Sequence, residues 1–211
     1  MNESRFKFTL WKAKTKRKLK KFWYFQKEWL NWCFEFDEEL NKTNFNLKDF
    51  EKMKQIKASE HLTYDEVVQS NTAKKYGINN MPNKAQFERI ELWAKEIFEP
   101  VRNFINDELG CTSIYRGDEL NTKIGGSLTS QHSANYGAAG DINCKIYHHG
   151  TNKDVFNFIK CTLDFDQLIS EFPKGKNPKW VHVSYVSKEE NRNQILRSYK
   201  DENNKTKYEI L

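Results

Sequence analysis

Between Asn83 and Asp107 the apolar residues Phe87, Ile90, Ala94, Ile97, Val101 and Phe104 return at intervals of three or four. That spacing brings side chains to one face of an α-helix. Pro100 falls inside the run and is expected to kink or divide it, because proline lacks an N–H and crowds the carbonyl four residues back. A second helix is predicted across Leu10–Leu40, which contains no Pro or Gly and sets Phe22, Phe25, Trp29 and Trp32 on one face. Thr63 followed by Glu66 is a capping box for a short helix, and the turn-rich Tyr76–Pro82 separates it from the long one. Asp154–Cys161 and Asp164–Phe172 also read as helices. Strand character, with β-branched or alternating residues, appears in Cys111–Arg116, Asp141–Tyr147 and Trp180–Val186. Pro173–Pro178 reads as an exposed loop.

Helices early and strands gathered late predict an α+β fold, a small mixed or antiparallel sheet flanked by helices, with an N-terminal helical extension. The divisions follow the pattern: residues 1–57 as a basic, aromatic-rich helical extension, 58–200 as the main domain, and 201–211 as a polar tail. Packing of the extension's aromatics on the main domain or on a second copy is the simpler reading. A grip on anionic cell-wall polymer, membrane surface or nucleic acid is the other.

Composition changes the picture in two places. Aromatic residues at 14% supply enough large apolar area for a packed core in a chain whose charged content is 30%. The net charge of +6 is lopsided: residues 1 to 30 hold ten Lys and Arg against Glu3 and Glu28, a surplus of eight, which leaves −2 for the remainder. The main domain is therefore no general polyanion binder, and no specific nucleic-acid partner is expected. Cys33, Cys111, Cys144 and Cys161 form no CxxC pair, which favours free thiols over a zinc ribbon or disulfide framework. No transmembrane segment is expected, and the Lys/Arg-interrupted N-terminus lacks the apolar run of a cleaved signal.

Candidate chemistry concentrates in Gly125–Asp141, GGSLTSQHSANYGAAGD, and in the strand Trp180–Val186. The first sets His132 and Asp141 on either side of small residues that permit close backbone approach. Period two in the second puts Trp180, His182 and Ser184 on one face and Val181, Val183 and Tyr185 on the other. Two histidines and one aspartate suit a zinc site that keeps a position for water. Taken singly, each histidine is as well explained as a hydrogen-bonded core residue.

Read together, the motifs resemble the zinc D-alanyl-D-alanine metallopeptidases, a family that includes DD-carboxypeptidases, vancomycin-resistance dipeptidases and phage L-alanyl-D-glutamate endolysins. Ser130-Gln131-His132 and Gly137-Ala138-Ala139-Gly140-Asp141 resemble the family's SxH and GxAxD motifs, with two extra residues between them. Trp180-Val181-His182 resembles its Trp-rich strand ending in the last histidine. Ser113-Ile114-Tyr115-Arg116, Leu120-Asn121 and Gly125-Gly126-Ser127 are similar to an SxYR…LN…GGS run. The likeness runs from about Ser59 to Arg197 and implies a hedgehog/DD-peptidase-like fold.

The resemblance implies Zn2+ held by His132, Asp141 and His182, with Arg116 on the substrate carbonyl and developing oxyanion. It also exposes a departure. Where many relatives carry Glu or Asp three residues before the last histidine, this chain has Lys179, which cannot accept a proton when charged. Glu171 is the expected substitute base and Asp166 the second choice. His148 and His149 are expected on an exposed loop, and His61 in a local contact at a helix start.

The function so implied is hydrolysis of an amide bond in the stem peptides or crosslinks of bacterial peptidoglycan, by a carboxypeptidase or an endolysin. Such an enzyme would reach the wall after release or as part of a phage. The alternative is a catalytically impaired wall-binding or virion-associated module on the same fold. Which bond is cut, and the oligomeric state, lie outside what the sequence says.

Overall fold

A computed structural model describes residues 56–106, 108–144 and 150–211. Of the predicted extension, 1–57, residues 1–55 lie outside them, as do His148 and His149. The described residues belong to one compact unit, Lys54–Leu211, and none of their helices is long and apolar enough to cross a membrane.

A short hairpin, β1 (Lys57–Ser59) and β2 (Leu62–Thr63), leads into helix α1 (Tyr64–Val68) through the Thr63–Glu66 capping box. Helix α2 (Asn71–Tyr76) stops at Gly77, whose φ of 66° is the left-handed conformation that glycine adopts without cost. The long predicted helix is present as α3 (Lys84–Trp93), a π-helical turn (Ala94–Phe98) and α4 (Glu99–Ile105). The π turn lies just before Pro100, where Glu99 N–H reaches back to the Ala94 carbonyl. The widened turn absorbs the register fault that the proline imposes, so the helix passes through instead of dividing. His61 makes a distant contact, not the local one expected: its Nδ1 lies 2.7 Å from Glu99 Oε2 and ties the hairpin to this helix.

Six strands form one mixed sheet in the order β3 (Cys111–Ser113), β4 (Ala138–Ile142), β6 (Trp180–Tyr185), β5 (Gln167–Glu171), β7 (Gln194–Lys200), β8 (Thr206–Ile210). Only β5 and β7 run parallel among these neighbours. The long helix and α6 (Asn152–Thr162) pack on one face, where Ile90, Trp93, Ile97, Ile159, Leu168, Val181 and Val183 form the core. Trp93 fixes the contact. Its indole donates to the Val183 carbonyl at 3.1 Å, and its ring lies where a Cβ on Gly140 would fall, 2.3 Å away.

Three expectations are corrected. Asp164–Phe172 is not a helix: residues 167–171 are the strand β5, paired on both sides. Phe165, Leu168, Ile169 and Phe172 fit the helical interval, but a short strand buried on both faces gives no clean alternation, and the sheet decided it. Asp141 is the fourth residue of β4 instead of its start, because Ala138–Gly140 is itself strand. Residues 201–211, expected as a polar tail, include the strand Thr206–Ile210, which pairs with β7 along its length. Asp118–Lys123 forms helix α5, around the helical turn expected at Leu120–Ile124.

Candidate active site

Asp141 and His182 are direct cross-strand partners on β4 and β6, and the row continues through Ile169 on β5 to Leu196 on β7. Since Val181 and Val183 point into the core, His182 faces away from the helices. His132 comes from the loop above, in a single 3-10 turn, Gln131–Ser133, ended by Ala134 in the left-handed conformation. The segment after β3 clamps that turn twice: Ile114 O lies 2.8 Å from His132 Nδ1, and Arg116 N–H donates to the His132 carbonyl at 2.9 Å. A carbonyl only accepts, so Nδ1 carries the proton and His132 Nε2 presents its lone pair to the site.

Three donor atoms converge there. His182 Nδ1 is 3.0 Å from Asp141 Oδ1, His132 Nε2 is 3.2 Å from His182 Nδ1, and His132 Nε2 is 3.4 Å from Asp141 Oδ1. Two ligands of a tetrahedral zinc with bonds of about 2.0–2.1 Å stand about 3.3–3.4 Å apart. The triangle therefore matches one face of that tetrahedron, and these residues could hold such an ion. Burial lowers the His132 pKa and keeps the ring neutral, as a ligand must be, though Asp141 pulls the other way. Burial works against the Asp141 charge, but His132 and His182 hold the carboxyl well below the usual range.

The triad lies in a cleft of about 1060 Å³, lined also by Arg116, Glu171, Trp180, Gln167, Arg192 and Tyr208. Arg116 Nε is buried and has no hydrogen-bond partner among the described residues. Glu171 ends β5 beside Trp180, so it lies diagonally across from His182 on the cleft face. It is buried, accepts a hydrogen bond from Ser198 Oγ on β7, and is pushed up in pKa by burial against the opposing pull of Ser198 and His182. Lys179 is exposed, its ammonium 5.5 Å from the Trp180 ring centroid. Asp166, the second choice as base, is locked instead: Arg192 holds both its oxygens, at 2.7 and 2.6 Å.

The loop sequence also has a physical reason. Asn121 Nδ2 donates to the Ser127 carbonyl at 2.6 Å and Gly126 N–H donates back to the Asn121 carbonyl. A Cβ on Gly126 would strike the Asn121 side chain at 2.1 Å. Asn121 thus closes the Gly125–Ser127 loop that leads to His132.

A family model for peptidase M15 matches residues 60–184, more than half of the chain. The chain belongs to the peptidase M15 family. It is thus a peptidase of a metallopeptidase family, and the mixed α+β architecture is the M15 fold. No curated protein matches it. Arg116, His132, Asp141, Glu171 and His182 all fall inside the M15 match, whereas β7 and β8 lie beyond it.

Ser198, Arg192 and Tyr208 were missed by reading the sequence as motifs. For Tyr208 a signal existed: Thr206, Tyr208 and Ile210 alternate with Lys207 and Glu209, the period of a strand. For Ser198 and Arg192 none did, because only the pairing of β7 with β5 brings Ser198 to Glu171, and only the bond to Asp166 holds Arg192 at the cleft.

Proposed function

We propose that the protein is a zinc peptidase that hydrolyses an amide bond in the peptide stems or crosslinks of bacterial peptidoglycan, with His132, Asp141 and His182 as the zinc ligands. The triangle of donor atoms carries the reading. It has the size a zinc face requires, and the proton on His132 Nδ1 leaves a lone pair where a ligand needs one. When bound, zinc supplies a Lewis acid that polarises the scissile carbonyl and makes a water acidic near neutral pH.

The chain's own groups do the rest. Glu171 takes the proton from the attacking water and passes it to the leaving amine, a role for which a carboxyl raised by burial is suited. It stands on the strand beside the place where relatives carry their acid, which accounts for a lysine at 179. Arg116, with a buried and unspent Nε, binds the carbonyl oxygen and stabilises the negative charge that grows there. Ser198 Oγ accepts from Phe172 N–H at 2.9 Å, so its own proton is directed at Glu171.

The setting implied is the bacterial wall, reached on release from the cell or as part of a phage. Zinc-loaded protein incubated with purified peptidoglycan is expected to release peptides with new amine termini, read by mass spectrometry. His132→Ala should lose both the metal and the products. Peptidoglycan left intact by the zinc-loaded wild type contradicts the reading and favours a wall-binding module.

A further inference from the structure

The cleft extends past the triad along the sheet, and its far end is built around Arg192. Asp166 lies three residues before Ile169 of the metal row, which at about 3.3 Å per strand residue is about 10 Å away. Asp166 is only 2% exposed. It accepts from Arg192 Nε and Nη2 and from the Arg192 backbone N–H at 3.3 Å, with Ser184 Oγ at 3.4 Å and Gln131 also bonded to it. These bonds fix the guanidinium by one edge. Nη1 makes no hydrogen bond among the described residues, and the side chain is 55% exposed where it lines the cleft.

Gln131, Gln167 and Tyr136 line this end, and the carboxylates that line the cleft itself, Asp141 and Glu171, stand in the metal row and beyond it on the opposite side. The nearby Glu190 carboxylate does not line the cleft and is taken up by the Tyr136 hydroxyl, which donates to it at 3.2 Å, and by Ser187. A guanidinium with one edge tied to a buried carboxylate and the other toward a cleft is preorganised for a second carboxylate. A plain surface ion pair that only secures the loop after β6 would not need to line the substrate cleft.

We propose that Arg192 receives a carboxylate of the peptide substrate a few residues from the bond that is cut, at the end of the cleft where β5 begins. The inference rests on the peptidase reading above and assigns a specificity residue outside the M15 match. Two carboxylates of a stem peptide are of the right kind, the α-carboxylate of D-Glu and the terminal carboxylate. Arg192 recognises one of them.

Three probes test it: a stem pentapeptide ending in D-Ala-D-Ala, and two forms in which one or the other carboxylate is a carboxamide. Affinities are measured by calorimetry on full-length zinc-loaded protein in the Glu171→Gln background, so that turnover does not intervene. One amidated form is expected to bind about ten- to a hundred-fold more weakly, the worth of a charge-assisted contact. That difference should vanish when Arg192→Gln is added, with the affinity for the amidated form unchanged, and be partly kept in Arg192→Lys. Equal affinity for all three peptides overturns the proposal, as does a penalty that survives Arg192→Gln. Wild-type turnover of the same peptides is followed separately. Carboxylate discrimination without any cleavage would count against the hydrolase and still support the subsite.

Discussion

Glu171 is a buried carboxylate among partners that favour its charge, Ser198 and His182, and burial outweighs them. Its pKa therefore stands above the ordinary carboxylate value, with two consequences of known sign. A base acts only when ionised, so the acid limb of kcat/KM should lie at higher pH than a free glutamate would give. A carboxyl raised in the folded state contributes stability below its unfolded pKa that is lost as pH rises through the folded one. Glu171→Gln is accordingly expected to lower kcat by about 10²–10⁴-fold while zinc content is kept and the thermal midpoint at neutral pH does not fall. Unchanged kcat in the variant would place the base elsewhere. That Lys179 leaves the expected acid position without a carboxylate was legible from the sequence. Glu171's strand was not, since Phe165, Leu168, Ile169 and Phe172 keep the helical interval and only pairing with β6 and β7 distinguishes the two periods.

At the scale of elements, β4 carries the site because its other face accepts a tryptophan. Gly140 and Val183 meet the Trp93 ring and its N–H while Asp141 and His182, one residue along each strand, face the cleft. Gly140→Ala forces the indole or the strand to move and should cost about 1–3 kcal/mol of stability, measured by denaturant unfolding; no loss would mean the helix does not seat on β4 this way. The strands bearing His132's clamp, Asp141 and His182 were readable because their residues repeat known motifs in the right order. The π turn before Pro100 was not, since the sequence marks a fault in the helix without saying whether it breaks or widens. β8 was passed over because its alternation is set in polar residues, with Tyr208 and Ile210 among Thr206, Lys207 and Glu209. Ending the chain after Asp201 removes Tyr208 and Thr206 from the cleft and bares the edge of β7. The shortened protein should melt earlier and show a raised KM on stem peptides; wild-type kinetics would make β8 dispensable.

At the scale of the whole molecule, a sheet covered by helices on one face carries on the other a cleft lined by Glu171, the His132, Asp141 and His182 triangle, and Arg192. The α+β class followed from the order of helical and strand-like stretches. The sheet's order did not, because it is set by which strands pair and not by any one stretch's composition. Surplus positive charge confined to residues 1 to 30 leaves the remainder at −2, so any affinity of the cleft for acidic peptides has to come from placed groups such as Arg116 and Arg192. The proposed chemistry depends on one ion among three donors. A zinc titration of the metal-free protein, with X-ray absorption on the product, tests this most directly. One zinc per chain is expected, with nitrogen and oxygen ligands at about 2.0–2.1 Å, and His182→Ala should abolish the site. Zinc that fails to bind, or binds equally well without His182, would contradict it.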